Sequence, residues 1–129
     1  ICAAVRRIAD GSGETLRLGN LNIRRDWGWA PEYVDAMWRM LQAAAPDDYV
    51  VATGTSVSLE DFVAAAFAAA GLDWRDHVAF DQSFVRPSDI ALSVGRPEKA
   101  ERVLGWRAAT RMPDVARLLV AAERDRAPS

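Results

Sequence analysis

Five stretches of this chain carry apolar residues at intervals of three and four, the spacing that places side chains on one face of an α-helix. The longest stripe begins after Pro31, which suits a first helical turn, and ends before Pro46. Its members are Tyr33, Val34, Met37, Met40, Leu41 and Ala44. The pattern predicts an amphipathic helix that buries this stripe.

The other four stretches predict further helices. Taken together, the predicted helices are residues 1–10, 31–45, 59–70, 97–104 and 113–124. Ser58 and Asp61 resemble a capping box at the start of the third helix, with Asp in place of the usual Glu or Gln. The faces expected to be buried are Leu59, Phe62, Val63, Ala66, Phe67 and Ala70 in the third helix, and Val115, Leu118, Leu119 and Ala122 in the last. The tail at 127–129 is expected to fray.

Strand patterns are fewer and shorter. Alternation at 15–18 predicts a strand with Leu16 and Leu18 on one side, and residues 78–80 predict another. The apolar run at 49–53 predicts a buried strand that ends at Gly54. Helices therefore outnumber strands, and the elements do not make a complete doubly wound sheet.

Composition limits the classes of function. The 129 residues make one domain, 1–129, with 50% hydrophobic and 26% charged residues. A net charge of −2 provides no field for nucleic acid or an anionic membrane. A single Cys2 excludes an internal disulfide, and a lone His77 cannot assemble a zinc site by itself. No apolar run could span a bilayer, so a cytoplasmic setting is expected. Because the helical pattern already begins at Ile1, without an initiator methionine, we expect a piece of a longer polypeptide.

Two arginines and an acid stand out as candidate binding residues. Arg25 is predicted to lie in a turn just before a helix start, where a guanidinium and free backbone N–H groups together suit an anion. Arg86 precedes a proline and lies three residues ahead of Asp89. Arginines fork onto phosphate oxygens, and an acid accepts from the vicinal hydroxyls of a ribose. The set suits a nucleotide diphosphate.

Each of these residues also has a purely structural interpretation. Arg25 could pair with Asp26 or Asp35, and Arg86 with Asp89. Asn20 could touch a nucleotide, but asparagine after glycine is more often a turn former. These alternatives remain open from the residues alone.

Signatures of a cofactor and of catalysis are missing from the chain. No strand is followed by Gly-x-Gly-x-x-Gly, and the spacing Gly11-x-Gly13 follows a predicted helix, which is the wrong context. There is no Tyr-x-x-x-Lys either, since Met37 and Thr53 stand four residues after the two tyrosines. We therefore assign no catalytic residue, no metal ligand and no cofactor to these 129 residues.

A long block of the chain resembles the GDP-mannose 4,6-dehydratases, which belong to the extended short-chain dehydrogenase/reductases. The matching segments are Gly19-Asn20-Leu21, 25–30, Tyr33-Val34, 36–38, 40–42, Pro46, 48–50, 52–54, Arg86-Pro87-Ser88-Asp89, Lys99-Ala100 and Leu104-Gly105-Trp106. Three positions depart from the family pattern: Asp89 replaces glutamate, Arg96 replaces an aspartate ahead of a helix, and Ala108 replaces a proline.

The resemblance implies a small, mostly helical α+β substrate-binding domain, the C-terminal part of an enzyme of α/β class whose N-terminal Rossmann domain is not included. In the parent, NADP bound by that missing half would oxidise the sugar at C4, water would leave across C5 and C6, and the hydride would return to C6. This chain would bind the GDP moiety of GDP-mannose through Arg25, Arg86, Asp89 and Asn20. The parent is expected to be a homo-oligomer, and the chain alone to be inactive.

Two other functions stay open. The chain could be a non-catalytic interaction module, because a domain separated from its Rossmann partner exposes the apolar face that packed there. It could also be the same domain of a GDP-sugar reductase or epimerase.

Overall fold

The computed structural model describes residues 1–86 and 88–125, so the predicted frayed tail lies outside the described residues. Within them lie five α-helices: α1 (Cys2–Ala9), α2 (Ala30–Leu41), α3 (Leu59–Ala68), α4 (Glu98–Leu104) and α5 (Met112–Asp125). The strands are β1 (Leu16–Leu18), β2 (Arg24–Asp26), β3 (Ser56–Ser58) and β4 (Val78–Phe80). Single 3₁₀ turns lie at Trp74–Asp76 and Gln82–Phe84. The predicted α+β domain, mostly helical, is confirmed.

The strands form two separate pairs. β1 runs parallel to β4, with Leu16 opposite Val78 and Leu18 opposite Phe80. β2 runs antiparallel to β3, with Arg25 opposite Val57. Neither pair is joined by a tight hairpin turn, so both depend on packing by the helices.

The main core lies between α1, α3 and α5. Val5 of α1, Val63 and Phe67 of α3, and Val120 of α5 are almost fully buried. Burial of a side chain of this size stabilises the fold by roughly 1.5–3 kcal/mol. Leu16 and Leu18 pack against the same cluster from β1, as their alternation predicted.

A capping interaction fixes the start of α3. The Ser58 hydroxyl accepts from the backbone N–H of Asp61 at 3.0 Å and donates to the Asp61 carboxylate at 2.6 Å. The predicted cap is therefore confirmed. The amides of Leu59 and Glu60 donate to the carbonyls of Ile23 and Leu21, which ties this helix start to the chain before β2.

A second cluster joins α2 to α4 and the chain that follows it. Ala36, Ala100 and Trp106 are buried together, and the Trp106 indole donates to the carbonyl of Glu32 at 2.8 Å. The Glu32 carboxylate accepts from the backbone N–H of Thr110 at 3.0 Å. This cluster covers one side of α2.

The other side of α2 corrects the sequence prediction. The predicted stripe is buried only in part: Tyr33 and Met40 are half-buried against the second cluster, whereas Val34, Met37 and Leu41 are 61%, 57% and 82% exposed. Within α2 the fully buried residue is Ala36. Periodicity shows that a face is apolar but does not show whether this chain covers it. In the described part of the chain, packing reaches α2 from the Ala36 side.

Three smaller predictions are also wrong. Residues 49–53 form no strand and instead run as irregular extended chain, although Ala52 and Thr53 are buried as expected. Along α5 the prediction is right for Val115, which is buried, and Leu118 is half-buried, but Leu119 and Ala122 are exposed. The other buried residues of this helix are Met112, Ala116 and Val120. Arg25 lies in β2 rather than in a turn, because β3 pairs with that segment from thirty residues further along the chain.

Candidate functional site

A cleft of about 290 Å³ lies between residues 17–25 on one side and Phe84, Arg86 and Asp89 on the other, with one contribution from α3. Its lining is made by Arg17, Leu18, Gly19, Asn20, Ile23, Arg25, Leu59, Phe84, Arg86 and Asp89. All four residues predicted to bind a nucleotide therefore border one concavity.

Backbone contacts hold the two walls of the cleft together at both ends. At one end, the Asp81 amide donates to the Leu18 carbonyl at 2.8 Å. At the other end, the Arg24 amide donates to the Ala91 carbonyl, also at 2.8 Å. Between these two contacts, Gly19, Asn20 and Ile23 line the cleft from one wall, and Phe84, Arg86 and Asp89 line it from the other.

Gly19 is required for the close approach of the walls. A Cβ at this position would lie 2.7 Å from the carbonyl oxygen of Phe84, which is closer than any side chain tolerates. The contact sets the position of Phe84 and of the chain leading to Arg86. A glycine in the sequence motif thus has a steric function.

Arg25 is oriented by carbonyl oxygens. Its Nη1 donates to the Ile90 carbonyl at 2.6 Å and to the Arg24 carbonyl at 2.9 Å. Its Nη2 lies 4.0 Å from a carboxylate oxygen of Asp89, and the side chain is 29% exposed. The guanidinium is therefore held in one orientation at the cleft wall.

Asp89 pairs with Arg25 rather than with Arg86. Its backbone N–H donates to the Arg86 carbonyl at 3.2 Å, which closes a turn between the two residues. The carboxylate is 23% exposed and faces Arg25 at the outer limit of an ion pair. The pairings Arg86–Asp89 and Arg25–Asp26, both open from the sequence, are not formed.

The guanidinium of Arg86 is uncommitted, meaning that it has no hydrogen-bond or ion-pair partner among the described residues. Its side chain is exposed at the cleft, and within residues 1–86 and 88–125 it makes no hydrogen bond or ion pair. An uncommitted arginine beside a fixed one leaves its donors available to an anion.

Asn20 forms a local turn. Its Oδ1 accepts from the Asn22 amide at 2.9 Å, so the turn-forming alternative describes its present contact. The side chain still borders the cleft. Contact with a nucleotide remains a prediction for this residue.

Asp26 was not singled out by the sequence, although it follows Arg25 directly. Its carboxylate accepts from the amides of Thr53 and Gly54, each at 2.9 Å, and from the Thr53 hydroxyl at 2.6 Å. The Gly95 amide lies 3.3 Å from the same carboxylate. Asp26 thus anchors the end of β2 to two distant loops. The sequence signal that could have identified Asp26 was the strand predicted at 49–53 together with Gly54, which ends it.

The alignment of the α2 N-terminus with the anion site, which the sequence predicted, is wrong. No residue of α2 lines the cleft, and the helix that reaches it is α3, through Leu59. Because the first amides of α3 donate to Leu21 and Ile23, they are not free donors for a ligand. The charge at the cleft is provided by side chains instead.

The cleft is electropositive. Three guanidinium groups, those of Arg17, Arg25 and Arg86, line it together with one carboxylate, Asp89. Asp81, behind Arg17, has its pKa lowered by hydrogen bonds from the Ser83 hydroxyl and amide, with a smaller contribution from Arg17. This arrangement can bind an anion with several oxygens.

The described residues carry neither a cluster of metal-ligating side chains nor a glycine-rich turn between a strand and a helix. They contain no group of three His, Cys, Asp or Glu side chains that could hold a metal ion. The one direct strand-to-helix junction among them, β3 to α3, passes through Ser58 without a glycine-rich turn, and its first amides are already bonded. The phosphates of a dinucleotide therefore find no cradle there. No described helix is long and apolar enough to cross a membrane.

The fold of this chain is shared with solved structures. The structure superimposes on RMD from Pseudomonas aeruginosa, solved in complex with NADPH, with a TM-score of 0.84 and 16% identity, over 98% of this chain and 41% of that one. This likeness shows a shared fold, which in the present chain is a small α+β domain.

The family follows from sequence. Residues 1–119 match the family model for GDP-mannose 4,6 dehydratase. The chain is 47% identical over 107 residues to GDP-mannose 4,6 dehydratase 2 of Arabidopsis thaliana, covering 83% of this chain and 29% of that protein. It is 37% identical over 134 residues to GDP-mannose 4,6 dehydratase of Dictyostelium discoideum, covering 91% and 38%. The chain belongs to the GDP-mannose 4,6-dehydratase family, and it spans about a third of the length of these relatives.

Proposed function

We propose that residues 1–129 form the C-terminal, nucleotide-sugar-binding domain of a GDP-mannose 4,6-dehydratase, and that the cleft binds the GDP moiety. The observation that carries this proposal is the meeting of Arg25, Arg86 and Asp89 at one cleft from segments about sixty residues apart. Family membership supports GDP-mannose as the nucleotide sugar.

Each residue has a distinct part in binding. Arg25, fixed by two carbonyls, holds one phosphate, and the uncommitted Arg86 closes on the other. Asp89 accepts from the ribose hydroxyls, a contact that one methylene less than glutamate still permits. Asn20 borders the same ligand from the Gly19 turn.

The parent activity belongs to the same proposal. The parent is a lyase that converts GDP-mannose to GDP-4-keto-6-deoxymannose and uses NADP, and the NADPH complex of the similar fold supports a nicotinamide cofactor. The residues that hold NADP and carry the chemistry lie outside this chain, which we propose is inactive alone. The proposed location of the parent is the cytoplasm.

The exposed side of α2 supports a domain partner. Val34, Met37, Trp38 and Leu41 are all more than half exposed, an apolar face that a stable monomer seldom leaves to water. We propose that the N-terminal Rossmann domain of the parent covers it, within a homo-oligomer.

Self-association through the same face is the second candidate function, that of a non-catalytic module. A GDP-sugar reductase or epimerase would use the same cleft with different chemistry upstream.

Calorimetric titration of the chain with GDP and GDP-mannose tests the binding proposal. Arg25→Ala and Arg86→Ala should each weaken binding by about ten- to a hundredfold, because a charge-assisted contact contributes ~1.5–3 kcal/mol. Arg117→Ala is the matched control, since Arg117 is exposed on α5 and, among the described residues, pairs with Asp114. No heat with either ligand, or equal losses in all three variants, would overturn the proposal.

A further inference from the structure

We infer that the end of the cleft formed by Arg17 and Phe84 takes the nucleobase, and that Arg17 selects guanine through its O6 and N7 atoms. The inference rests on the proposed function, because it assumes that a nucleoside diphosphate occupies this cleft. It assigns a specificity-determining function to a residue that the nucleotide-binding set of Arg25, Arg86, Asp89 and Asn20 does not include.

The cleft has two chemically different ends. At one end, Arg25 and Asp89 face each other at 4.0 Å. At the other end, Leu18 bonds to Asp81 and Gly19 packs on the Phe84 carbonyl. Since the diphosphate and ribose are assigned to the first end, the base of the same ligand extends towards the second.

Phe84 provides a stacking surface at the second end. It is 58% exposed although it lines a cleft, and its backbone is set against Gly19. An exposed aromatic ring on a fixed backbone is the kind of platform on which any nucleobase stacks. Stacking therefore favours a base at this end without choosing which base.

Arg17 provides the selectivity between nucleobases. It is the middle residue of β1, so it points away from the core face that Leu16 and Leu18 occupy. Its side chain is 66% exposed, and its Nη1 lies 3.6 Å from one oxygen of Asp81. The other oxygen of Asp81 accepts from the Ser83 amide and hydroxyl at 2.9 and 2.6 Å. The guanidinium is thus positioned from behind, and its remaining N–H donors are free to turn to a ligand.

The donor pattern of Arg17 matches guanine. Guanine presents two adjacent acceptors, O6 and N7, which the arginine fork binds in bidentate fashion. Adenine presents an amino donor in place of O6, and uracil has no N7 and a single acceptor on that side. An arginine at this position therefore favours a guanine nucleotide over adenine and uracil nucleotides.

The alternative use of Arg17 is as a third phosphate ligand. In that case its loss would weaken all nucleoside diphosphates equally, because every one of them carries the same phosphates. Comparison of bases separates the two uses.

Titrations of the 129-residue chain with GDP, UDP and 7-deaza-GDP, which lacks the N7 acceptor, provide the test. The unmodified chain should bind GDP about tenfold or more tightly than UDP, and 7-deaza-GDP several-fold more weakly than GDP. Arg17→Gln should lower GDP affinity about ten- to a hundredfold and leave UDP affinity unchanged. Phe84→Ala should weaken GDP and UDP alike, and Arg117→Gln should change neither.

Each contrary result has one meaning. Equal affinity for GDP and UDP, equal affinity for GDP and 7-deaza-GDP, or an equal loss for both bases in Arg17→Gln would overturn this inference and leave the proposed cleft function standing. No binding of any of the three nucleotides would overturn both. The comparison of GDP with 7-deaza-GDP uses the unmodified chain, so it holds even if a variant fails to fold.

Discussion

The two helical regions of this molecule bury their apolar residues to different degrees. Around α3, the chain buries its own apolar face between α1 and α5, and Phe67 and Val63 are fully enclosed. Around α2, the chain buries Ala36 and leaves Met37, Trp38 and Leu41 in water. The first region buries its apolar face against other helices of this chain. The second has an equally apolar face, which the described part of the chain leaves exposed. The difference shows that the same amphipathic pattern can mark an internal core or an interface.

The largest effect on stability is expected from removing one side chain from the buried core around α3. Phe67→Ala removes a fully buried ring and should lower the free energy of unfolding by ~3–5 kcal/mol, because the surrounding helices relax only in part. Denaturant unfolding measures it. Trp38→Ala on α2 is the comparison variant, and its larger but 60% exposed ring should cost less than about 1 kcal/mol. Similar losses at both positions would remove the distinction between the regions.

The next largest effect is expected at Asp26, which connects β2 to the loops beside the α2 region. Asp26→Ala leaves the amides of Thr53 and Gly54 without their acceptor and should cost ~2–4 kcal/mol. Asp26→Asn keeps one acceptor oxygen and should cost less. Hydrogen exchange at the two amides should accelerate in both variants. Unchanged exchange would show that the carboxylate is not the anchor.

A smaller change in stability but a clear change in association is expected on the open face of α2. Leu41→Glu and Met37→Glu should alter the unfolding free energy by less than about 0.5 kcal/mol, because both side chains are mostly exposed. Sedimentation at several concentrations should show self-association of the unmodified chain and monomers for the variants. A strictly monomeric unmodified chain would contradict self-association through this face and would leave the Rossmann domain as its proposed cover.

How far the sequence predicted the molecule follows from the range of each interaction. The five helices and the Ser58 cap depend on residues within a few positions, and the pattern located them. Pairing of β2 with β3, the Asp26 anchor and the Arg25–Asp89 contact join residues from about thirty to about seventy positions apart, and no local pattern records them. The stripe on α2 was correctly identified as apolar, but periodicity cannot show what packs against it.

The candidate site divides in the same way. Residue types and the family resemblance singled out Arg25, Arg86, Asp89 and Asn20, and the structure puts all four at one cleft. Arg17 and Phe84 carry no motif of their own, and only the folded arrangement brings them to the same concavity. Their signals in the sequence, an arginine between two core leucines and an aromatic before Arg86, are too common to interpret alone.

The smallest effect concerns acid pH at Asp81. The Ser83 hydroxyl and amide hold the pKa of this carboxyl below its ordinary value, so the carboxylate contributes stability above about pH 4 that is lost as pH falls through the folded pKa. Ser83→Ala should move the Asp81 pKa upward, as followed by NMR titration of the carboxyl carbon. Arg17→Gln should move it less. A larger shift in Arg17→Gln than in Ser83→Ala would reverse the assigned causes.

The most direct test of the central claim is a map of where GDP touches the chain. Backbone and arginine side-chain NMR shifts, recorded as GDP is added, should change at residues 17–25 and 84–89, Arg25 and Arg86 among them, and stay constant along α1 and α5. Shifts confined to another surface, or no shifts at millimolar GDP, would contradict the account.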